Sequence, residues 1–389
     1  MSADDILDAD RLLKQAQAKT GLSDYGDDTL PERFAQAVVY LRSCEMNEAG
    51  QRAAASVSLG LLTSRLSFFE NFKRYPLAQE KIERPVFATG EGRSGTTLLH
   101  ALLSVDPKGR ALRFWEVMYP SPPPGLAGPD DPRRAKADED WRDIIQRMPN
   151  WLTSHPYNDM LGHGLPECER TWAFDFRVLT PTAWWRVPII QKSSGLAADP
   201  SAQYRIHTMM LQSCQYGQQK KYWVLKGFHQ ARMRQLFDAY PDARVIWTHR
   251  DPVQVIASRI VLSGQIAEGM SGRQIDWKQY ARTHLEAASA SYLNAFNDPI
   301  LDDPRIHHVR FTDLVANPIS VLRDFYNRCD MRFDGKTEQA MDEYLKNNKS
   351  DRYGKFRYST DVIGADIGVL NETFAPYRER FGIEIEHKK

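Results

Sequence analysis

The sequence predicts an α/β protein in which helices flank a parallel, P-loop-type sheet. Two observations support this prediction: short apolar runs are each followed by a turn and a helical pattern, and a glycine-rich turn follows the first run. Such runs are typical of the buried strands of β-α units, which are apolar on both faces. The four runs span Pro85–Thr89, Tyr222–Leu225, Arg244–Thr248 and Ile306–Phe311.

A helical segment precedes the sheet. As far as about Arg74, apolar residues recur at helical spacing. Gly21 stops the first helical run, and Pro31 suits the first turn of the next helix. We expect residues 1–80 to form this segment, packed on an α/β core domain at residues 81–389.

A long insertion, residues 120–221, separates the first two apolar runs. It opens with the proline-rich stretch Pro120–Gly125, and we expect it to be largely helical. Because it follows a strand, it should lie as a lid at the carboxyl edge of the sheet, where open α/β folds bind ligands. Its tryptophans suit either core and lid packing or an aromatic wall around a ligand. They are Trp141, Trp151, Trp172, Trp184 and Trp185.

The overall charge excludes some classes of partner. The 389 residues include 51 Lys and Arg against 50 Asp and Glu, which gives a formal net charge of +1. This balance removes the argument from bulk charge for a nucleic-acid or anionic-membrane partner, so a charged ligand must be recognised locally. The content of 42% apolar and 26% charged residues is that of an ordinary globular protein.

The cysteines and the N-terminus indicate the compartment. The four cysteines lie far apart without a C-x-x-C pair, so we expect neither a disulfide framework nor a zinc knuckle. The first twenty residues lack the apolar stretch of a secretory signal, and no run approaches the ~18 apolar residues of a membrane-spanning helix. We therefore expect a cytoplasmic protein without a transmembrane segment; formation of a homo-oligomer stays open.

The glycine-rich turn, Thr89–Thr97, has the context of a phosphate-binding loop, because it links a strand to an apolar helix. In such a turn, successive backbone N–H groups curl around an oxyanion, and the helix N-terminus adds partial positive charge. Gly90 and Gly95 hold the two glycine positions of G-x-x-x-x-G-K-[ST], but Thr96 replaces the lysine and Arg93 lies inside the loop. A glycine-rich turn without a ligand is the alternative interpretation.

Arg250 and Ser258 form a second candidate anion site. Arg250 follows a predicted strand, and Asp251 and Pro252 suit the N-cap and first position of the next helix. Ser258 lies about two turns along that helix, so the Arg250 side chain and the Ser258 hydroxyl can share one anion. An arginine at a strand end can also be a solvated charge or a helix-dipole partner.

The run Arg-Ser-Gly-Thr-Thr-Leu-Leu-His at Arg93–His100, followed by Asp106-Pro107, Arg110 and Trp115-Glu116, resembles the sulfotransferase family that uses 3′-phosphoadenosine 5′-phosphosulfate (PAPS). The resemblance is closest to the large bacterial branch of the family and more distant to tyrosylprotein sulfotransferases. It extends over most of the chain, but only the two anion sites are diagnostic.

The resemblance implies a role for each anion site. The loop would grip the 5′-phosphosulfate end of PAPS, although Gly92 stands where many family members have proline. Arg250 and Ser258 have the family's spacing for the 3′-phosphate. The implied loop residues are Gly92, Arg93, Ser94, Gly95, Thr96 and Thr97.

Sulfuryl transfer needs a base for the proton of the acceptor and positive charge at the departing oxygen. By resemblance, Glu116, directly after an expected strand at Leu112–Trp115, is the base; a surface carboxylate is the alternative. Lys226 matches the family lysine that assists the leaving phosphate. The alternative is a lysine whose side chain snorkels to solvent. His229 is the second candidate base. The alternative is that it is a core or helix-capping residue. The sequence offers no ligand cluster for a metal, so we expect none.

We therefore expect in-line transfer of a sulfuryl group from PAPS to a hydroxyl of a small-molecule, lipid or sugar acceptor. One rival is a P-loop kinase of a small metabolite, against which the missing loop lysine argues. The other is a non-catalytic nucleotide-binding module, against which the base candidate and the lysine beside both anion sites argue.

Overall fold

A five-stranded, all-parallel sheet forms the centre of the computed structural model, which describes residues 6–44, 46–148, 150–157, 159–177, 199–219, 221–271 and 274–386. The sheet order is β2-β3-β1-β4-β5, for the strands β1 (Val86–Gly90), β2 (Gly109–Ala111), β3 (Tyr222–Lys226), β4 (Arg244–His249) and β5 (Ile306–Arg310). The parallel α/β fold is confirmed, and each of the four predicted runs is a strand to within one residue at either end.

Helices precede, connect and follow the strands. Those of the N-terminal half are α1 (Ala9–Thr20), α2 (Leu30–Ser43), α3 (Glu48–Arg74), α4 (Thr96–Ser104), α5 (Phe114–Met118), α6 (Pro132–Arg147) and α7 (Trp151–Ser154). Those of the C-terminal half are α8 (Pro200–Gln215), α9 (Met233–Ala239), α10 (Pro252–Ser271), α11 (Trp277–Phe296), α12 (Phe311–Ala316), α13 (Pro318–Arg328), α14 (Gly335–Asn347), α15 (Ile367–Thr373) and α16 (Ala375–Phe381).

Both faces of the sheet are covered. Successive side chains of a strand point to opposite faces, so Val86 and Ala88 of β1 pack on one side with α4 and α13. Phe87 packs on the other side with α8 and α9. Burial on both faces is the reason that β1 is largely apolar, and all five of its residues are buried.

The predicted N-terminal helical segment is formed by α1, α2 and α3. Gly21 ends α1 in the left-handed conformation (φ 68°), and Pro31 lies in the first turn of α2. The apolar sides of these helices pack together with Ala173 and Phe176 of the insertion. The domain boundary between residues 80 and 81 stays a prediction.

A buried carboxylate joins this segment to the insertion. Asp175 Oδ1 lies 3.0 Å from Arg33 Nη2 and 2.9 Å from Arg65 Nη1. The Arg65 side chain is 1% exposed. Burial lowers the pKa of Arg65 to about 10, although the charge of Asp175 opposes that shift. Two buried guanidinium groups thus share the Asp175 carboxylate, and Arg33 has a second ion pair with Asp27 at 2.9 Å.

The strand expected at Leu112–Trp115 is wrong, because β2 already ends at Ala111 and the next residues form α5. The physical reason is a local cap. The Glu116 carboxylate accepts a hydrogen bond from the N–H of the N-cap residue Arg113 at 2.8 Å, in a capping box that starts a helix. Glu116 therefore lies on a helix instead of following a strand.

The described parts of the insertion contain α6, α7 and α8 together with single 3₁₀ turns. Trp141 and Trp172 are buried and Trp151 is half-buried, whereas Trp184 and Trp185 lie outside the described residues. In the part of the chain that the structure describes, no helix has the length and apolarity needed to cross a bilayer.

Asp175→Ala tests the buried cluster. The variant leaves Arg33 and Arg65 without their shared carboxylate, so we expect the free energy of unfolding to fall by about 3–5 kcal/mol in urea denaturation. Asp24→Asn is the control, because its ion pair with Lys73 joins two side chains that are each 53% exposed, and it should change stability little. Equal stability of the two variants would contradict the importance of the buried cluster.

Candidate active site

The loop between β1 and α4 is held by two glycines with positive φ. At Gly90 (φ 142°), a Cβ atom would lie 2.5 Å from Thr248 Oγ1. At Gly95 (φ 90°), the N-cap of α4, a Cβ would lie 2.9 Å from the Phe311 ring. Only glycine fits both positions, so the loop packs tightly against β4 and α12. The N–H groups that open α4 are thereby left for a ligand.

The Ser94 side chain fixes the loop to the sheet. Its hydroxyl donates to the carbonyl of Glu91 at 2.6 Å and lies 2.8 Å from Thr248 Oγ1. Ser94 is buried by these contacts and supports the loop from behind. Four of its neighbours, Gly92, Arg93, Thr96 and Thr97, line an adjacent cavity.

Arg93 connects the two predicted anion sites. Its backbone is left-handed (φ 79°), a strained conformation for a residue with a Cβ. Its Nε donates to Ser258 Oγ at 3.0 Å, and its Nη1 donates to the carbonyl of Ser154 at 2.9 Å. Burial, reinforced by the charge of Arg250, lowers the pKa of Arg93 to about 10. The guanidinium is therefore a desolvated cation that an anionic ligand would stabilise.

Arg250 lies against the same loop. Its Nη1 donates to the carbonyl of Arg93 at 2.9 Å, and its guanidinium stacks on the Phe311 ring at 4.2 Å from the centroid. Its remaining donors bind the carboxylate of Glu386, with Nη2 2.7 Å from Oε2. The structure thus brings Arg93, Arg250 and Ser258 together, and the Glu386 carboxylate occupies the Nε and Nη2 donors of Arg250.

A cavity of about 330 Å³ opens beside the loop at the carboxyl edge of the sheet. Its charged lining includes Arg93, Lys226 and two glutamates of the insertion, Glu167 and Glu169. Much of its apolar lining belongs to one packed cluster between the insertion and α10. These residues are Phe114, Trp141, Ile144, Met148 and Met270.

Lys226 ends β3 in register with Ala88 of β1, and its ammonium donates to Glu167 Oε1. Sequence reasoning missed Glu167, which pairs with this lysine, and Glu169, which lines the same cavity. Their only sequence signal is a pair of carboxylates two residues apart in the tryptophan-rich insertion. Their approach to β3 depends on how the insertion folds back over the sheet.

Neither predicted base lines the cavity. Glu116 is buried, with one oxygen 2.7 Å from Arg110 Nη2 and the other accepting from Arg113 N–H. His229 is fully buried, and its Nδ1 lies 2.7 Å from the hydroxyl of Tyr204. The role of each as a base stays a prediction, and these contacts also give Glu116 a structural role.

A second cavity, of about 380 Å³, lies at the opposite edge of the sheet. Arg84, Tyr222 and Arg244 line it from the amino ends of the strands. None of the predicted site residues lines that cavity, so it is separate from the loop and its cations.

The comparison with known families identifies the family of the chain. Residues 85–335 match the sequence model of the Sulfotransferase family, a stretch that contains the loop, Lys226, Arg250 and the described cavity lining. The chain belongs to the sulfotransferase family. It is therefore an enzyme with sulfotransferase activity, and the resemblance seen in the sequence is confirmed.

Solved sulfotransferases share the fold along nearly the full chain. Sulfotransferase STF9 from Mycobacterium avium is 25% identical, with a TM-score of 0.81 over 97% of this chain and 98% of its own. Sulfotransferase STF1 from Mycobacterium tuberculosis is 25% identical, with a TM-score of 0.75 over 94% of this chain and 98% of its own. No curated protein sequence matches the chain.

Glu116→Gln separates the structural from the catalytic role of Glu116. Because the carboxylate caps α5 and pairs with Arg110, we expect a loss of about 1–2 kcal/mol of stability in urea denaturation. Sulfotransferase activity per folded molecule should stay within about twofold of the wild type. A loss of activity of about 100-fold or more at full folding would instead support Glu116 as the base.

Proposed function

We propose that this sulfotransferase takes its sulfuryl group from PAPS and transfers it to an acceptor hydroxyl in the described cavity. The observation that carries the proposal is the convergence of Arg93, Arg250 and Ser258 beside a glycine-rich loop at one sheet edge. A donor with a 5′-phosphosulfate and a 3′-phosphate has two anionic ends. Two anion sites linked through one arginine suit such a molecule.

The residues present fit this donor. Gly92 to Thr97 would hold the 5′ end through backbone N–H groups and the Arg93 guanidinium. Arg250 and Ser258 would hold the 3′-phosphate, with the Arg250 fork suited to bidentate binding. When bound, the donor supplies a sulfuryl group on a phosphate leaving group. The structural support is the desolvated state of Arg93, because a buried cation that has no carboxylate partner among the described residues gains most from an anion.

Lys226 would stabilise the oxygen that leaves. It lies at the carboxyl end of β3, next to the loop strand, and lines the same cavity as Arg93. Its pairing with Glu167 keeps the ammonium at the polar side of the cavity. Charge held at that place stabilises the negative charge that develops on the leaving phosphate.

The acceptor would lie against the aromatic wall. Phe114, Trp141 and Trp151 line the cavity, so an acceptor with an apolar body and one hydroxyl suits it. The wall would hold that body while the polar side orients the hydroxyl towards the loop. Small-molecule and lipid hydroxyls meet this description better than a free sugar.

The proposal is tested by incubating the protein with ³⁵S-labelled PAPS and a set of hydroxyl acceptors. We expect labelled sulfate esters and binding of adenosine 3′,5′-bisphosphate in calorimetry. Failure to bind this bisphosphate and to transfer label would overturn the choice of donor. Tighter binding of ATP with Mg²⁺ than of the bisphosphate would favour a phosphoryl donor instead.

Arg250→Ala should weaken binding of adenosine 3′,5′-bisphosphate by roughly 2–4 kcal/mol, because it removes charge-assisted bonds to a partly buried phosphate. Adenosine 5′-phosphate, which lacks the 3′-phosphate, is the control ligand, and its affinity should change little. An equal loss for both ligands in calorimetry would place Arg250 away from the 3′-phosphate.

Glu386→Gln should strengthen binding of the same bisphosphate several-fold. The Glu386 carboxylate has to leave Arg250 before a phosphate can take its place, and a neutral amide competes less well for the guanidinium. Glu384→Gln is the matched control, because Glu384 is exposed on the same C-terminal segment. If calorimetry shows that Glu386→Gln binds the bisphosphate with unchanged affinity, Glu386 does not compete with the phosphate for Arg250.

A further inference from the structure

Glu169 occupies an unusual position in the cavity wall. It lies on the 3₁₀ turn Cys168–Arg170 of the insertion, and the residue is 3% exposed. Its Oε1 accepts a hydrogen bond from the backbone N–H of Phe228 at 2.8 Å, which fixes the carboxylate against the end of β3. Its Oε2 is buried and has no hydrogen-bond partner among the described residues. One oxygen is thus anchored, whereas the other is buried without a hydrogen-bond partner among the described residues, on a residue that lines the cavity.

Gly227 provides the space for that free oxygen. A Cβ atom on Gly227 would lie 2.9 Å from Glu169 Oε2 and 2.9 Å from His229 Nε2. His229 Nε2 is also buried, and no described residue forms a hydrogen bond with it. Both free atoms therefore face one small space next to the backbone of Lys226. The chain here places a carboxylate in the wall of the cavity that also contains the lysine proposed to assist the leaving group.

The surroundings of Glu169 make it a better proton acceptor than the histidines of the cavity. Burial, followed by the charge of Glu167, raises the pKa of Glu169 to about 7, while Arg232 opposes the rise. Burial and the charge of Lys226 lower the pKa of His100 to about 3. Burial and the charges of Arg93 and Lys226 also lower the pKa of His155. An effective base has a pKa near the working pH.

We propose that Glu169 is the catalytic base that removes the proton of the acceptor hydroxyl, a role that rests on the proposed donor. The bond from the acceptor oxygen to sulfur forms, and the bond from sulfur to the phosphate oxygen breaks. The hydroxyl proton passes to Glu169 Oε2, and the electron pair of the broken bond stays on the phosphate beside Lys226. Charge and atoms balance without a further reactant.

Two neighbouring residues, Glu167 and His229, are positioning residues for this base. Glu167 holds Lys226 by an ion pair and raises the basicity of Glu169 by its charge. His229 lies behind the free oxygen and is itself held by Tyr204. The charged and titratable groups that surround the carboxylate are Glu167, Cys168, Tyr204, Lys226, His229 and Arg232.

The test compares Glu169→Gln with the wild type, using ³⁵S-labelled PAPS, 2-naphthol as probe acceptor, and water as the acceptor in the background hydrolysis. Glutamine can keep the bond from Phe228 N–H but cannot take the proton. We expect the transfer rate to fall about 10²–10⁴-fold, with the affinity for adenosine 3′,5′-bisphosphate within about twofold. Glu139→Gln, on an exposed face of the same insertion, is the control and should keep the wild-type rate.

The pH profile gives an independent readout. Only ionised Glu169 accepts a proton, so the wild-type rate should fall as the pH drops below about 7, and Glu169→Gln should lack this decrease. Gly227→Ala should also slow transfer, because the new methyl group takes the space of the free oxygen.

The outcomes separate the two proposals. A Glu169→Gln rate within tenfold of the wild type, a flat wild-type profile between pH 6 and 8, or a loss of bisphosphate affinity that equals the loss of rate would overturn the base assignment. Failure of the wild type itself to bind the bisphosphate would overturn the choice of donor, which is a different result from a slow variant that still binds.

Discussion

The parallel register of β1 with its two neighbours is the constraint on which the rest of the site depends. It pairs Ala88 with Lys226 on one side and Gly90 with Thr248 on the other, so the three strands end in one layer. Everything that follows a strand end must then emerge at the same edge. The loop, Lys226 and Arg250 come from three separate parts of the chain. They lie at the same edge of the sheet because the hydrogen bonds between the strands fix the strand ends there.

Much of this framework follows from sequence, because its causes are local. Buried parallel strands must be apolar on both faces, and the tight loop requires glycine at two positions; both requirements appear directly in the residues of β1 and the turn after it. β2 is different: it has three residues, and a capping interaction decides that the following apolar run becomes helix. Glu169 and Glu386 reach the site through tertiary folding alone. Glu386 meets a side chain 136 residues earlier, and no local pattern encodes such a contact.

The buried charges of the molecule are of two kinds, those neutralised by an opposite charge and those that are not. In the cluster around Asp175, cations and carboxylates neutralise each other, and the result is structural. Around the loop, Arg93 is desolvated: its guanidinium donates to a hydroxyl and a carbonyl and lies over the Phe356 ring, and its backbone is strained. Strain and unneutralised charge lower the stability of the free protein, and both are features of a site shaped before its ligand arrives. The balanced net charge of the whole chain hides this local imbalance.

The two sides of the cavity come from different parts of the fold. The loop, Lys226 and Arg250 belong to the repeating β-α units, whereas the aromatic wall and both glutamates belong largely to the insertion. Evolution can therefore alter the shape of the aromatic wall, and with it the range of acceptors, while the residues that bind the common donor stay the same. Two contacts limit this freedom, because the hydrogen bond from Phe228 N–H to Glu169 and the ion pair of Lys226 with Glu167 tie the insertion to the end of β3. The shape of the cavity wall can thus diverge, except where the insertion contacts the end of β3.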